Sequence, residues 1–254
     1  DRGLARAEVT SPVTRFDERT GLDGSALAVY RHRGELYATT AEGLFRLVAG
    51  PEAYFERLPQ VGGQTWDLLT FEEELLVANT ERVYSFRGET GTVASSRSFA
   101  SALLRSRVDR QRVFVGLMGG LASMRREGER WVDEGAIAGI TDDVRSLFEL
   151  PDGRLWASSE TNGMLLLTFP EGWPTTGEPP LVERFGLADG LPDLNHNVVV
   201  SVRGEPVFGG HRGIHRFDET TRCFTPDPRF ESLFADGPRA VYALREDQAG
   251  RVWM

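Results

Sequence analysis

The chain contains no lysine: all 29 of its basic residues are arginine. That excludes phosphate-binding loops of the Gly-Lys-Ser/Thr kind and any Schiff-base lysine chemistry within these residues. Cysteine is nearly as scarce. With Cys223 alone there is no intrachain disulfide and no cysteine-based zinc site. A membrane span needs about 18 apolar residues in a row. The most apolar window, residues 113–124, is broken by Gly116, Gly119 and Gly120. The first residues lack the apolar centre of a signal peptide, although a processed or excised segment reads the same way. A net charge of −9 argues against a nucleic-acid footprint. Helical periodicity is almost missing too. Its best stretch, residues 95–107, is partly claimed as strand by the pattern described next.

What the chain does have is a repeat. Residues 36–47, Leu36-Tyr-Ala-Thr-Thr-Ala-Glu-Gly43-Leu-Phe-Arg-Leu47, align without gaps with residues 75–86, 113–124 and 206–217, and with one extra residue against 155–167. A sixth copy starts at Arg251-Val-Trp253 and is cut off. The anchors Leu36, Leu75, Val113, Leu155, Pro206 and Val252 are spaced by 39, 38, 42, 51 and 46 residues. A longer echo relates residues 12–22 to 181–191, at an offset of 169, which four repeats of about 42 residues account for. That period belongs to four-stranded propeller blades.

Each repeat has a physical plan. An alternating first strand, as in Val144-Arg-Ser-Leu147, is followed by a tight turn such as Pro151-Asp152-Gly153 or Gln248-Ala249-Gly250, where glycine supplies the positive φ of a two-residue hairpin. The second strand, such as Leu155-Trp156-Ala157-Ser158, is apolar enough to be buried on both faces. Gly43, Gly163 or Gly213 then opens the third strand, and a weaker fourth strand follows. Residues 170–180 carry four prolines and read as a surface insertion holding Trp173. Residues 225–238 form another loop, with a short helix near 231–234. Pro206 fits a strand only as its first residue. The expected fold is an all-β β-propeller: one domain over residues 1–254, with five complete blades near 25–58, 64–98, 102–133, 143–185 and 196–225. A truncated sixth lies near 239–254, and residues 12–17 are read as the outer strand of a neighbouring blade. Trp156, Trp253 and Tyr37 belong where blades pack face to face.

Asp143-Val-Arg-Ser-Leu-Phe-Glu-Leu-Pro-Asp-Gly-Arg-Leu-Trp156, residues 239–253, and the phrase Phe185-Gly-Leu-Ala-Asp-Gly-Leu-Pro-Asp-Leu-Asn195 resemble the two-component regulator propeller repeat. The resemblance covers nearly the whole chain. Arg82 replaces the glycine in the second repeat, and the second, third and fifth lack the tryptophan after the turn. The resemblance implies a seven-bladed propeller in the periplasmic sensor half of a membrane-bound histidine kinase, hybrid regulator or diguanylate cyclase. Glycan fragments are common ligands of such sensors. Membrane attachment would come only through a segment not present here.

Propellers place ligands where each fourth strand returns to the next first strand. The segments arriving there supply Gln64, Trp66, Asp67, Asp142, Asp143, Arg145, Asn195, His196, Asn197 and Arg239. Such a set suits a carbohydrate or a carboxylated ligand. The alternative is that these are turn residues and strand caps. His211 and His215 have an i,i+4 spacing, but Gly213 and the repeat register put them across a turn, so neither a metal nor a cofactor is expected. His32, beside a turn, reads as a solvated residue. No nucleophile–base motif is present, so no catalytic residue is assigned. The rivals to a sensor are a protein-interaction propeller and a propeller lyase or hydrolase. An unpaired strand edge near Val252 would favour a homodimer.

Overall fold

The computed structural model describes residues 14–246 and 250–253. The chain folds into successive antiparallel sheets, each with its strands in chain order. The first sheet holds β1 (Ala28–His32), β2 (Glu35–Thr40), β3 (Gly43–Val48) and β4 (Tyr54–Gly62). The second holds β5 (Thr65–Phe71), β6 (Glu74–Asn79), β7 (Val83–Arg87) and β8 (Thr90–Ser95). The third holds β9 (Ala100–Arg105), β10 (Arg112–Leu117), β11 (Gly120–Glu127) and β12 (Arg130–Ala136). The fourth holds β13 (Val144–Glu149), β14 (Leu155–Ser159), β15 (Met164–Thr168) and β16 (Leu181–Phe185). The fifth holds β17 (Val198–Val202), β18 (Glu205–Gly210), β19 (Gly213–Asp218) and β20 (Cys223–Pro226). A two-stranded sixth sheet, β21 (Arg245–Glu246) with β22 (Val252–Trp253), follows. Helix among the described residues is limited to three short 3-10 turns, Glu18–Thr20, Leu187–Asp189 and Pro228–Phe234. Residues 95–107 form no helix: they hold the end of β8, a connecting loop at 96–99 and the whole of β9, whose backbone groups are satisfied in separate sheets.

The sheets are blades because each first strand packs against the first strand of the next sheet. Cross-blade hydrogen bonds tie these inner strands together. Leu103 N donates to Asp67 Oδ2 at 2.9 Å, Val199 N donates to Ser146 Oγ at 2.7 Å, and Ser101 Oγ donates to Val144 O. The hydrophobic core sits between the blades. One cluster joins β6 and β10 through Phe71, Leu76, Val113 and Met124; the next joins blades three and four through Phe114, Val144 and Leu165. Strands β6 and β14 are buried along their whole length, their apolar residues packed on both faces and their polar ends Glu74, Asn79 and Ser159 hydrogen-bonded.

Trp156 is 1% exposed and lies within 4.9–5.9 Å of the rings of Phe185, Phe208, Phe217 and Phe224, all but the first from the fifth blade. Tyr37 fills the equivalent place between the first two blades. Trp253 departs from this scheme. It is 59% exposed, and the Arg251 guanidinium lies over its ring.

Several local expectations are corrected. The turn at residues 151–153 is a three-residue turn, closed by Leu150 N donating to Arg154 O at 2.7 Å. Of the pair Asp152-Gly153 only Gly153 has positive φ (86), and a two-residue type I′ turn needs φ positive at both positions. Two-residue turns with positive φ at both positions occur instead at, for example, Arg33-Gly34 (φ 50 and 89) and Arg203-Gly204 (φ 54 and 78). Residues 248 and 249 of the other proposed turn lie outside the described residues. Pro206 is the second residue of β18, opposite Ser201. Its nitrogen faces β19, whose pairing begins only at Phe208, so no ladder bond is lost. His32 is buried, 6% exposed, with Nδ1 2.9 Å from Thr70 Oγ1, and desolvation lowers its pKa. Of the outer strand expected at residues 12–17, the first two residues lie outside the described residues. The rest forms no strand, and Phe16 packs edge-on against Phe55 at 5.1 Å.

Trp173 is not a surface residue on a free loop. It packs 4.4 Å from Phe169 and takes the Arg112 guanidinium at 4.9 Å, so the insertion folds back onto the third and fourth blades. The glycine that opens the third strand is a steric requirement. Gly163 has φ +78, and a Cβ there would lie 2.3 Å from Phe185 O. Gly163→Ala should therefore cost at least about 1–3 kcal/mol, the strain of a non-glycine residue in the left-handed region. Urea melts of the variant check this.

Candidate functional site

One face of the propeller carries the connections between blades and the turns between second and third strands. The opposite face carries the remaining turns and the insertion. The connector face is stitched by backbone hydrogen bonds. Thr80 N donates to Gln64 O at 3.0 Å, Phe99 N to Thr80 O at 2.8 Å and Met118 N to Phe99 O at 3.0 Å. In the fourth blade Glu160 N donates to Asp143 O at 2.9 Å, and His196 N to Glu160 O at 2.8 Å. The loops that present side chains here are thus held by the scaffold.

The first strands enter this face through β-bulges. The pairing register shifts between Thr65 and Asp67 in β5 and between Val144 and Ser146 in β13. Trp66 and Arg145 are the skipped residues. A bulge re-aims the side chain of its extra residue, and these two aim at each other: the Arg145 guanidinium lies 5.1 Å from the Trp66 ring centre. Arg145 Nε is 3.2 Å from Glu160 Oε2, and His196 Nδ1 is 2.7 Å from Glu160 Oε1. The His196 ring lies 5.4 Å from that of His211 and 6.1 Å from that of Tyr242. Tyr242 OH is 3.3 Å from His211 Nδ1. His196 holds φ +54, a left-handed conformation that costs a non-glycine residue free energy and that is concentrated at functional sites.

Trp66, Arg145 and His196 of the sequence-derived set therefore converge. The others do not join them. Asp67 forms part of the wall between β5 and β9, accepting from Leu68 N and Leu103 N at 2.9 Å each, and burial raises its pKa. Asp142 is a buried clasp. Burial by itself would raise its pKa, but Asn162, Arg184 and Ser159 hold the carboxyl below its ordinary range. Asn197, 2% exposed, donates to Asp193 O at 2.9 Å. Gln64 and Asp143 act through their backbone carbonyls. Asn195 is exposed at the rim, and Arg239 is exposed and pairs with Asp236 at 3.5 Å. Sequence reasoning missed Glu160, His211 and Tyr242 as members of this group. The signal was available in the repeat register, since turns between second and third strands open on the same face as the connections.

His215 points elsewhere: it is buried in β19, and desolvation lowers its pKa. On the opposite face a cavity of 220 Å³ lies beneath Trp173. Its charged side chains are already engaged. Arg112 is bonded to Glu134 at 2.7 and 2.9 Å, Glu149 accepts from Ser106 Oγ at 2.9 Å, and Arg154 is bonded to Glu219 at 2.9 Å. The connector face is the better candidate because Trp66 Nε1 and Arg145 Nε, both buried there, have no hydrogen-bond partner.

No family model and no curated protein matches the chain. Solved structures do. PorZ, a surface component of the type-IX secretion system of Porphyromonas gingivalis, aligns over 91% of this chain and 38% of its own, at 11% identity and a TM-score of 0.61. The WD40 propeller domain of Doa1 aligns over 77% of this chain and 65% of its own, at 12% identity and a TM-score of 0.52. The extracellular domain of the two-component system BT4673 from B. thetaiotaomicron aligns over 94% of this chain at 15% identity, with a TM-score of 0.40, too low to compare blade arrangement. The chain spans 40% of the length of that domain. These likenesses bear on fold, and with the sheets described above they establish an all-β propeller of four-stranded antiparallel blades.

Proposed function

We propose that this propeller is a non-enzymatic ligand-sensing domain of a bacterial signal-transduction receptor. It binds a carbohydrate or other small molecule on the connector face and passes the signal to an output domain. The observation that carries this is the convergence of Trp66, Arg145, Glu160, His196, His211 and Tyr242 from separate blades onto one face. The repeat's resemblance to the two-component regulator propeller supports a periplasmic ectodomain, and no described helix is long and apolar enough to cross a membrane. A ligand bridging several blades would shift their relation to a neighbouring domain or protomer by its differential affinity for two states. The exposed face of Val29 on β1 fits a further blade beside the first, as in a seven-bladed ring.

Titration calorimetry of the domain against neutral and acidic oligosaccharides tests this. At least one is expected to bind, and His196→Ala combined with Tyr242→Ala should weaken it by about tenfold or more, the loss of one or two hydrogen bonds. Binding unaffected by that double change moves the site elsewhere. A second reading, a protein-docking scaffold, is favoured by Phe99 and Met118, which lie exposed and adjacent on the same face. A partner protein retained through Phe99, with no small ligand bound, would select it.

A further inference from the structure

If the connector face is the ligand face, its unmet hydrogen-bonding groups say what chemical group it takes. Among the described residues, the buried side-chain polar atoms without a hydrogen-bond partner are Trp66 Nε1, Arg82 Nε and Arg145 Nε. All three are donors. All three belong to the connector face: Trp66 and Arg145 at the bulges that begin β5 and β13, and Arg82 in the turn before β7. Buried polar atoms are nearly always satisfied, and each exception asks for an explanation. Unmet donors and no unmet acceptors, gathered on one face, describe a surface prepared for acceptors.

Arg145 differs from the other well-covered arginines of the fold. Arg112, Arg126 and Arg154 each direct a hydrogen bond into a carboxylate, at 2.7, 2.6 and 2.8 Å. Arg145 has Glu160 Oε2 within 3.2 Å of Nε, yet the alignment makes no hydrogen bond. Glu160 meanwhile gives its other oxygen to His196 at 2.7 Å. Charge holds the Arg145 guanidinium in place, without a directed bond, and its central carbon lies over the Trp66 ring at 5.1 Å from the ring centre. A planar fork of this kind is suited to a two-oxygen anion.

We propose that Arg145 and Trp66 form an anion subsite that takes the oxyanion of a small ligand: a carboxylate, sulfate or phosphate group. The guanidinium lifts from the indole and exchanges Glu160 for the ligand's oxygens. That movement uncovers Trp66 Nε1, which donates to the same group. Glu160 keeps its 2.7 Å contact with His196 Nδ1, so one of its oxygens still has a partner when Arg145 leaves it. No covalent bond is made or broken.

The test titrates the domain, in a buffer free of oxyanions, with sodium sulfate, sodium phosphate, a galacturonic acid disaccharide and its neutral methyl ester. Calorimetry and tryptophan fluorescence are read for the natural chain, Trp66→Phe and Arg145→Gln. The expected result is binding of at least one oxyanion probe, a fluorescence change absent in Trp66→Phe, and no binding of the ester. Arg145→Gln should lose about tenfold or more in affinity, as expected for hydrogen bonds to a charged group. Binding of the disaccharide alone assigns the anion to a carboxylated sugar, and binding of sulfate or phosphate assigns it to an ester group; both support the proposal. Arg145→Lys, which keeps the charge but not the fork, replaces the glutamine variant if that one fails to fold. The proposal is overturned if the ester binds as well as the acid, if changing Arg145 leaves affinity unaltered, or if none of the four probes binds. A neutral oligosaccharide bound on this face, indifferent to Arg145, overturns the anion subsite and leaves the sensor reading standing.

Discussion

Replacing Trp156 with alanine should destabilise the propeller by about 3–5 kcal/mol, the range for truncating a large buried aromatic. The indole is 1% exposed and joins the fourth blade to the fifth through Phe208, Phe217 and Phe224. Those rings come from strands in the adjacent sheet and cannot collapse into the space without separating the blades. The cost is therefore a cavity between two rigid layers as well as lost apolar burial. Trp173 supplies the comparison. It is half-buried, on an insertion that packs against Phe169 and Phe114. Trp173→Ala should cost about 1–2 kcal/mol, the share of a partly buried side chain. Urea denaturation followed by circular dichroism measures both. Equal losses at the two positions would mean that Trp156 is not a keystone between blades.

The fold was legible because the repeat is physical as well as textual. The left-handed backbone at Gly43 and Gly163 lets the third strand open against the fourth without a clash, and the buried second strands β6 and β14 pack on both faces between neighbouring blades. The same reasoning runs out where a rule of period two is locally broken. Trp66 and Arg145 sit at bulges, and no alternation rule places a bulge residue on a face. Asp67 illustrates the other side of that shift. One residue beyond the bulge, its carboxylate turns from the expected ligand surface to the neighbouring strand, where it accepts from Leu103 N. Asp142 and Asn197 misled for a related reason. Polar residues at the mouth of a blade serve equally as ligands' partners or as clasps for the turns beside them, and only the hydrogen-bond partners tell which. Glu160 lies 36 residues from His196 in the chain. Its contact with that ring exists only because the fourth blade's turn and the next connection share a backbone hydrogen bond. Trp173 was misread through composition, since a proline-rich loop in a sequence does not reveal what its one large aromatic finds to pack on.

Glu74 should prove the most costly charge to remove, and its loss should change the response of the fold to acid. The carboxylate is buried between the second and third blades, with side-chain exposure of 8%, beside Arg126 at 9%. It accepts from Ser85 Oγ at 2.6 Å, Arg126 at 2.6 Å, Trp131 Nε1 at 2.9 Å and Arg87 at 3.0 Å. Burial by itself would raise its pKa, but these donors and the two guanidinium charges outweigh it and hold the carboxyl below the ordinary glutamate range. Glu74→Ala should cost about 3–5 kcal/mol, because removing one partner of a buried pair leaves the Arg126 charge uncompensated. The sign of the pH effect follows from the lowered pKa. In the unfolded chain the group titrates near its ordinary value of about 4.3, so the stabilisation is fully present above that value. It is lost as pH falls through the lower folded value, where the native carboxylate is protonated. Glu74→Gln keeps the shape, cannot ionise, and should flatten this part of the acid limb while lowering stability at neutral pH. Denaturant midpoints for the natural chain and Glu74→Gln, measured from pH 7 down to pH 3, decide the matter. The two curves should converge on the acid side; curves that stay parallel throughout would show that Glu74 carries no pH-dependent share of the blade interface.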